Sequence, residues 1–126
     1  MIPTHQTLYS AGADVCAAET VTIEPGQVKL VPTGAYVPEG VKGRDFALML
    51  MIRSSIALKR GLSLGNGVGL IDPDYPDEIK VMLHNHTDNA AVIEKGERIA
   101  QLVAVPFERI YPVKSEERKG GFGSTP

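Results

Sequence analysis

Cysteine is nearly missing from this chain. Cys16 stands alone, so no internal disulfide and no cysteine-only zinc cluster can form. The simplest role for its thiol is that of a small buried hydrophobe. Long apolar runs are missing too: none approaches a membrane span, and no basic-then-apolar signal pattern heads the chain. A soluble, intracellular protein is therefore the expectation. Charge of one sign is also lacking. A net charge of −2 leaves no electrostatic footprint for nucleic acid, so a nucleotide would have to be bound by specific residues rather than by a general positive field. The 126 residues make one domain, with no internal repeat and no composition shift to mark a second.

What the chain has in plenty is punctuation. Its 13 glycines and 9 prolines leave little room for helices of ordinary length. Between them lie short β-branched or alternating segments: Val21 to Ile23, Gln27 to Pro32, Phe46 to Ile52, Ile79 to Leu83 and Ile99 to Val105. Such runs bounded by turn signals predict an all-β barrel or sandwich. Both faces of Phe46 to Ile52 are apolar, which predicts a central strand buried on both sides and points to a subunit interface. One short helix is expected, capped by Ser54 or Ser55, formed by Ile56 to Arg60 and ended by Gly61. Asn66-Gly67 is the strongest hairpin signal. The glycine-rich end, Glu116 to Pro126, reads as a flexible tail.

Several stretches can carry chemistry. Arg53-Ser54-Ser55 brings an arginine and two hydroxyls to the start of the helix, a good setting for phosphate, although a capped helix with a surface arginine is the simpler reading of these residues alone. Gly65-Asn66-Gly67-Val68-Gly69 lacks dinucleotide-fingerprint spacing; it reads as a plain turn, or as a hairpin whose backbone can approach a flat ligand. Asp72 to Glu78 holds four carboxylates. A calcium loop would need Gly and Glu where Asp77 and Leu83 stand, which excludes that reading. Asp72 follows the apolar Val68 to Ile71, and a carboxylate at the end of a buried strand is well placed to act as a base. His84 and His86 share a strand face, with no third metal ligand in evidence, and read as surface or interface residues.

The order of these stretches says more than any one of them. Ala11-Gly12-Ala13-Asp14-Val15, Arg53-Ser54-Ser55-Ile56-Ala57, Gly69-Leu70-Ile71-Asp72-Pro73-Asp74-Tyr75, Gly96-Glu97-Arg98-Ile99-Ala100-Gln101-Leu102 and Gly120-Gly121-Phe122-Gly123-Ser124-Thr125 follow one another along nearly the whole chain. The series resembles the five ordered motifs of the trimeric dUTP pyrophosphatases. That resemblance implies a distorted β-barrel homotrimer whose active sites are shared between subunits, with residues 1–113 as catalytic domain and 114–126 as an arm closing over the nucleotide. It implies hydrolysis of dUTP to dUMP and pyrophosphate with magnesium, which limits uracil in DNA and supplies dUMP for thymidylate synthesis. Arg53, Ser54 and Ser55 would hold phosphates, and Asn66 with the backbone near Leu70 and Ile71 would read uracil. Asp72 would activate the attacking water, and Tyr75 would pack on the deoxyribose and exclude a 2′-hydroxyl. Lys80 matches a substrate-contact position and Gln101 a phosphate-side one, while Asp14 would hold water of the metal shell. Phe122 would stack on uracil beside Gly123 and Ser124, and Arg118 would reach the γ-phosphate.

Departures from the family pattern are few. Pro76-Asp77 replaces the usual Arg-Gly, the tail arginine is displaced by one from the register of Glu117, and the chain stops at Pro126 where the family commonly continues. Two other readings compete. A dCTP deaminase carries similar Arg-Ser-Ser and Ile-Asp-Pro patterns, but the place of its catalytic glutamate is taken here by Met82, whose thioether cannot shuttle a proton. A non-catalytic, nucleotide-sensing trimer is the other, and intact Asp72, Tyr75 and Phe122 weigh against it.

Overall fold

A computed structural model describes residues 2–115 and Arg118. Nine strands and one helix follow one another: β1 (Ala13–Cys16), β2 (Val21–Ile23), β3 (Val28–Ala35), β4 (Phe46–Ile52), α1 (Ser54–Arg60), β5 (Leu62–Leu64), β6 (Gly69–Ile71), β7 (Ile79–Asn85), β8 (Ala91–Ile93) and β9 (Arg98–Pro106). Every pairing is antiparallel. The strands form a four-stranded sheet in the order β1-β9-β4-β6, a β2-β8 pair, and a three-stranded sheet in the order β3-β7-β5. The all-β class with one short helix is thus as expected. The ladders remain three separate sheets and do not close into one barrel, with register breaks at Val15/Cys16 and between Pro32 and Ala35.

Alternation along the strands builds the core. On β7, Ile79, Val81, Leu83 and Asn85 point inward while Lys80, Met82 and His84 point away. Ile23, Leu62, Ile79, Leu83, Ile93 and Ile99 are almost fully buried and come from all three sheets, so one core joins them. Each such side chain contributes about 1.5–3 kcal/mol on burial. Buried Asn85 ties the layers together, donating to the carbonyls of Ile23 (2.9 Å) and Asn89 (2.8 Å) and accepting from the Thr87 amide (2.9 Å).

Five local expectations need correction. The helix is capped by Arg53, with no side-chain cap bond, and Ser54 and Ser55 lie inside its first turn. The cause is β4: the Arg53 amide still bonds the Ile99 carbonyl, so the chain leaves the sheet one residue before the serines. Gly61 ends the helix as expected, in the left-handed conformation. Asn66-Gly67 does turn the chain, but β5 pairs with β7 and β6 with β4, so it is a corner between two sheets rather than a hairpin. The strand before Asp72 is not buried: β6 is a sheet edge, and Leu70 is 68% exposed. On β4, central as expected, Ala47, Leu48 and Leu50 are buried, but Met49 and Met51 are only half covered and Phe46 is exposed. Cys16 is half-buried and free.

Candidate active site

The corner between the two sheets leaves a cavity of about 230 Å³, lined among others by Leu50, Asn66, Leu70, Asp72, Tyr75, Lys80 and Arg118. Gly69 allows the walls to close up, since a Cβ there would stand 3.0 Å from the Leu50 Cβ. Asp72 and Tyr75 are fixed relative to each other by a four-residue turn. The Tyr75 amide donates to the Asp72 carbonyl (3.1 Å), and Pro73 takes the second position, for which its ring pre-sets the backbone. Tyr75 is buried, and its hydroxyl donates to the Glu78 carbonyl (2.9 Å). Burial raises the phenol's pKa, the Asp77 and Glu78 carboxylates push the same way, and Arg118 opposes them.

Arg118 reaches into this pocket. Its guanidinium, 11% exposed, bonds the Asp72 carboxylate and, at 3.2 Å, that of Asp74, and lies 5.5 Å from the centre of the Tyr75 ring. A second cleft, of about 310 Å³, opens on the far side of Asp72 and is lined by Arg44, Asp45, Asp74, Phe107 and Arg109, with Arg118 shared.

A different group of side chains gathers at the other end of β4. Asp14, only 12% exposed, bonds Arg98 Nη1 (3.2 Å) and lies 3.8 Å from Arg53 Nε. Arg53 also donates to the Arg98 carbonyl (3.2 Å). Register explains the gathering: Asp14 and Met51 both sit opposite Gln101 on β9. Ser54 and Ser55 follow directly, in the first turn of α1.

The expected residues therefore fall into two groups. Asn66, Leu70, Ile71, Asp72, Tyr75, Lys80 and Arg118 share one pocket, while Asp14, Arg53, Ser54, Ser55 and Gln101 lie together elsewhere. Since Leu48 pairs with Ile71, Asp72 is level with Ala47, six residues along the strand from Arg53. At about 3.3 Å per residue the two groups are separated by roughly 20 Å of backbone. Phe122, Gly123 and Ser124 lie outside the described residues. Two residues of these groups carry no local signal in the sequence: Arg98, the second cation on Asp14, and Glu78, which reads only as part of an acidic turn.

The dUTPase family model matches residues 1–126. The deoxyuridine 5'-triphosphate nucleotidohydrolase of Lactococcus lactis is 46% identical, over 98% of this chain and 87% of the relative; that of Hahella chejuensis is 44% identical, over 98% and 86%. Among solved structures, the dUTPase of Streptococcus mutans superposes with a TM-score of 0.77 at 39% identity, over 87% of this chain and 88% of the other. A dUTPase of Staphylococcus bacteriophage 80alpha, solved with dUpNHpp, gives 0.75 at 26% identity, over 98% and 86%.

Proposed function

The chain belongs to the dUTPase family and is a dUTP diphosphatase, and we propose that it hydrolyses dUTP at a site in which the Asp72 pocket of one copy meets the Arg53 group of another. The observation that carries this reading is the fixed pairing of Asp72 with Tyr75 in a pocket too small for a whole nucleotide. Its volume of about 230 Å³ falls short of the roughly 300–1,000 Å³ usual for ligand sites. A nucleoside can enter it, and in this reading the triphosphate runs out of the pocket toward the Arg53 group of another copy.

In this reading uracil lies against β6. An edge strand has backbone donors and acceptors on its free side, which suit the N3–H and carbonyl oxygens of uracil, and Asn66 adds an amide. Tyr75 packs against the deoxyribose. Asp72 accepts a proton from the attacking water while holding it in line with the α-phosphorus; the bond to the bridging oxygen breaks, and pyrophosphate leaves. Arg53, Ser54, Ser55 and Gln101 neutralise and orient the phosphates, the largest expected contribution to the rate, and Lys80 lies at the pocket rim. Arg118 leaves Asp72 for the γ-phosphate when nucleotide binds, and residues 114–126, with Phe122, Gly123 and Ser124, form the arm over the base.

Magnesium fits this set in an outer position. Asp14 is already shared by two arginines, and among the described residues no three His, Cys, Asp or Glu side chains gather to cage an ion. Such an ion is commonly held by substrate phosphates and water, and Asp14 would accept from that water. When bound, it offsets phosphate charge and assists the leaving group. Association of copies is supported by the half-covered Met49 and Met51 and by the exposed Ile110, Tyr111 and Val113 beyond β9; a trimer is the state we propose. No helix among the described residues is long and apolar enough to cross a membrane.

Met82 lines the pocket where a deaminase would carry its glutamate. Incubation with dUTP and, separately, dCTP tests the proposal. Pyrophosphate from dUTP and no ammonia from dCTP is the expected result; ammonia from dCTP, or no product from dUTP, would contradict it.

A further inference from the structure

Two residues interrupt the pairing of β3 with β7. Pro32 sits opposite Lys80 and Ala35 opposite Ile79, so Thr33 and Gly34 have no counterparts and form a bulge. Gly34 has φ of +71°, a conformation that disfavours any side chain. Thr33 is 1% exposed, one of only two buried polar residues among those described. Its hydroxyl donates to the Ile79 carbonyl (2.5 Å) and accepts from the Ala35 amide (3.1 Å). The bulge turns the Gly34 N–H outward to the Glu78 carboxylate, at 2.6 Å. Glu78, half-buried, offers its own carbonyl to the Tyr75 hydroxyl. The segment that carries Tyr75 is thus bonded to β3 through two consecutive residues, Glu78 and Ile79.

We propose that the Thr33–Gly34 bulge and the Glu78 carboxylate are a positioning device for Tyr75, and that they set how strictly the pocket rejects a 2′-hydroxyl. The inference rests on the proposed packing of Tyr75 against the sugar. Steric exclusion of one oxygen works only if the ring cannot yield, and sites of this kind need their side chains held within about 0.5 Å. Tyr75 is held at both ends, by its amide on the Asp72 carbonyl and by its hydroxyl on the Glu78 carbonyl. The second hold is only as firm as Glu78, and Glu78 is fixed by a charge-assisted bond to the bulge. The same carboxylate contributes to the raised pKa of the phenol, after burial and Asp77.

The test is the ratio of kcat/KM for dUTP to that for UTP, in the wild type and in Glu78→Ala, Glu78→Gln, Tyr75→Phe and Tyr75→Ala. Glu78→Ala and Tyr75→Phe should each lower the ratio by about five- to tenfold, the scale of one hydrogen bond. Glu78→Gln should stay within about twofold of wild type, because its amide oxygen still accepts from Gly34. Tyr75→Ala should lower the ratio most. An unchanged ratio in Tyr75→Ala would sink the sugar-packing reading itself. A lowered ratio there, with Tyr75→Phe or a folded Glu78→Ala at the wild-type value, would overturn the positioning role alone. Equal losses for both nucleotides in Glu78→Ala would also overturn it, since they would mark a structural residue only. Tyr75→Phe keeps the core intact, so it decides the matter even if Glu78→Ala fails to fold.

Discussion

At one end of β4 two arginines share a single carboxylate; at the other a carboxylate and a tyrosine share a single turn. The Arg53 end works by charge. Asp14 neutralises one cation of the pair, leaving a surplus positive charge, with Arg53 and Arg98 27% and 44% exposed and able to turn toward phosphate. The Asp72 end works by shape: a cavity between two sheets, a buried ring, and edge-strand backbone. In the proposed reading neither end does the chemistry alone. Hydrolysis needs both an activated water and a neutralised leaving group, and the fold of one chain holds these apart along the strand that joins them. On that proposal the two half-sites meet by assembly of copies rather than within one chain.

Three substitutions and a truncation sharpen this division, and the largest effect should come from Asp72→Asn. Loss of a positioned base should lower kcat by about 10² or more while dUTP still binds; wild-type turnover in this variant would remove Asp72 from the mechanism. Arg53→Ala should lower kcat/KM by about 10- to 100-fold, the scale of a hydrogen bond to a charged group, and should leave inhibition by deoxyuridine unchanged, since the nucleoside reaches only the pocket. Weakened deoxyuridine binding would show that the two ends are not separate. Truncation after Val113 should leave the melting temperature near wild type and lower activity about tenfold or more, because a closed arm excludes water and strengthens the phosphate contacts beneath it. Full activity in the truncated chain would dismiss the arm. The smallest effect is expected of Asp74→Asn. Its carboxylate is 61% exposed and bonds Arg118 beside Asp72, so kcat should fall only about two- to threefold. A loss matching that of Asp72→Asn would make the two carboxylates a unit.

Much of this was legible in the chain. The bounds of β2 and β4 match the apolar runs that predict them, and Gly61 ends the helix where its freedom at positive φ suggests. What periodicity could not supply was partnership. Asn66-Gly67 carries the local signal of a hairpin, yet its flanking strands choose β7 and β4, because long-range pairing outweighs the preference of a two-residue turn. Asp72 reads as the end of a buried strand, since an edge and a centre look alike when both are apolar. Arg118 was expected near phosphate and is held by Asp72, a contact between residues 46 apart that no spacing rule anticipates. Glu78 and Thr33 were hidden for the same reason: their roles exist only where a bulge on β3 meets the loop before β7.

Whether the two ends combine across copies can be measured by complementation. Chains carrying Arg53→Ala and chains carrying Asp72→Asn, differently tagged, are co-expressed and the mixed oligomer is purified through both tags. Each variant alone should keep about a tenth of wild-type activity or less, and the double variant less still. In a trimer that contains both chains, an intact Asp72 from one chain meets an intact Arg53 from the next at one of the three sites, so about a third of wild-type activity should return. Activity no greater than the sum of the two parents, in oligomers shown to contain both chains, would mean that each site is built from a single chain.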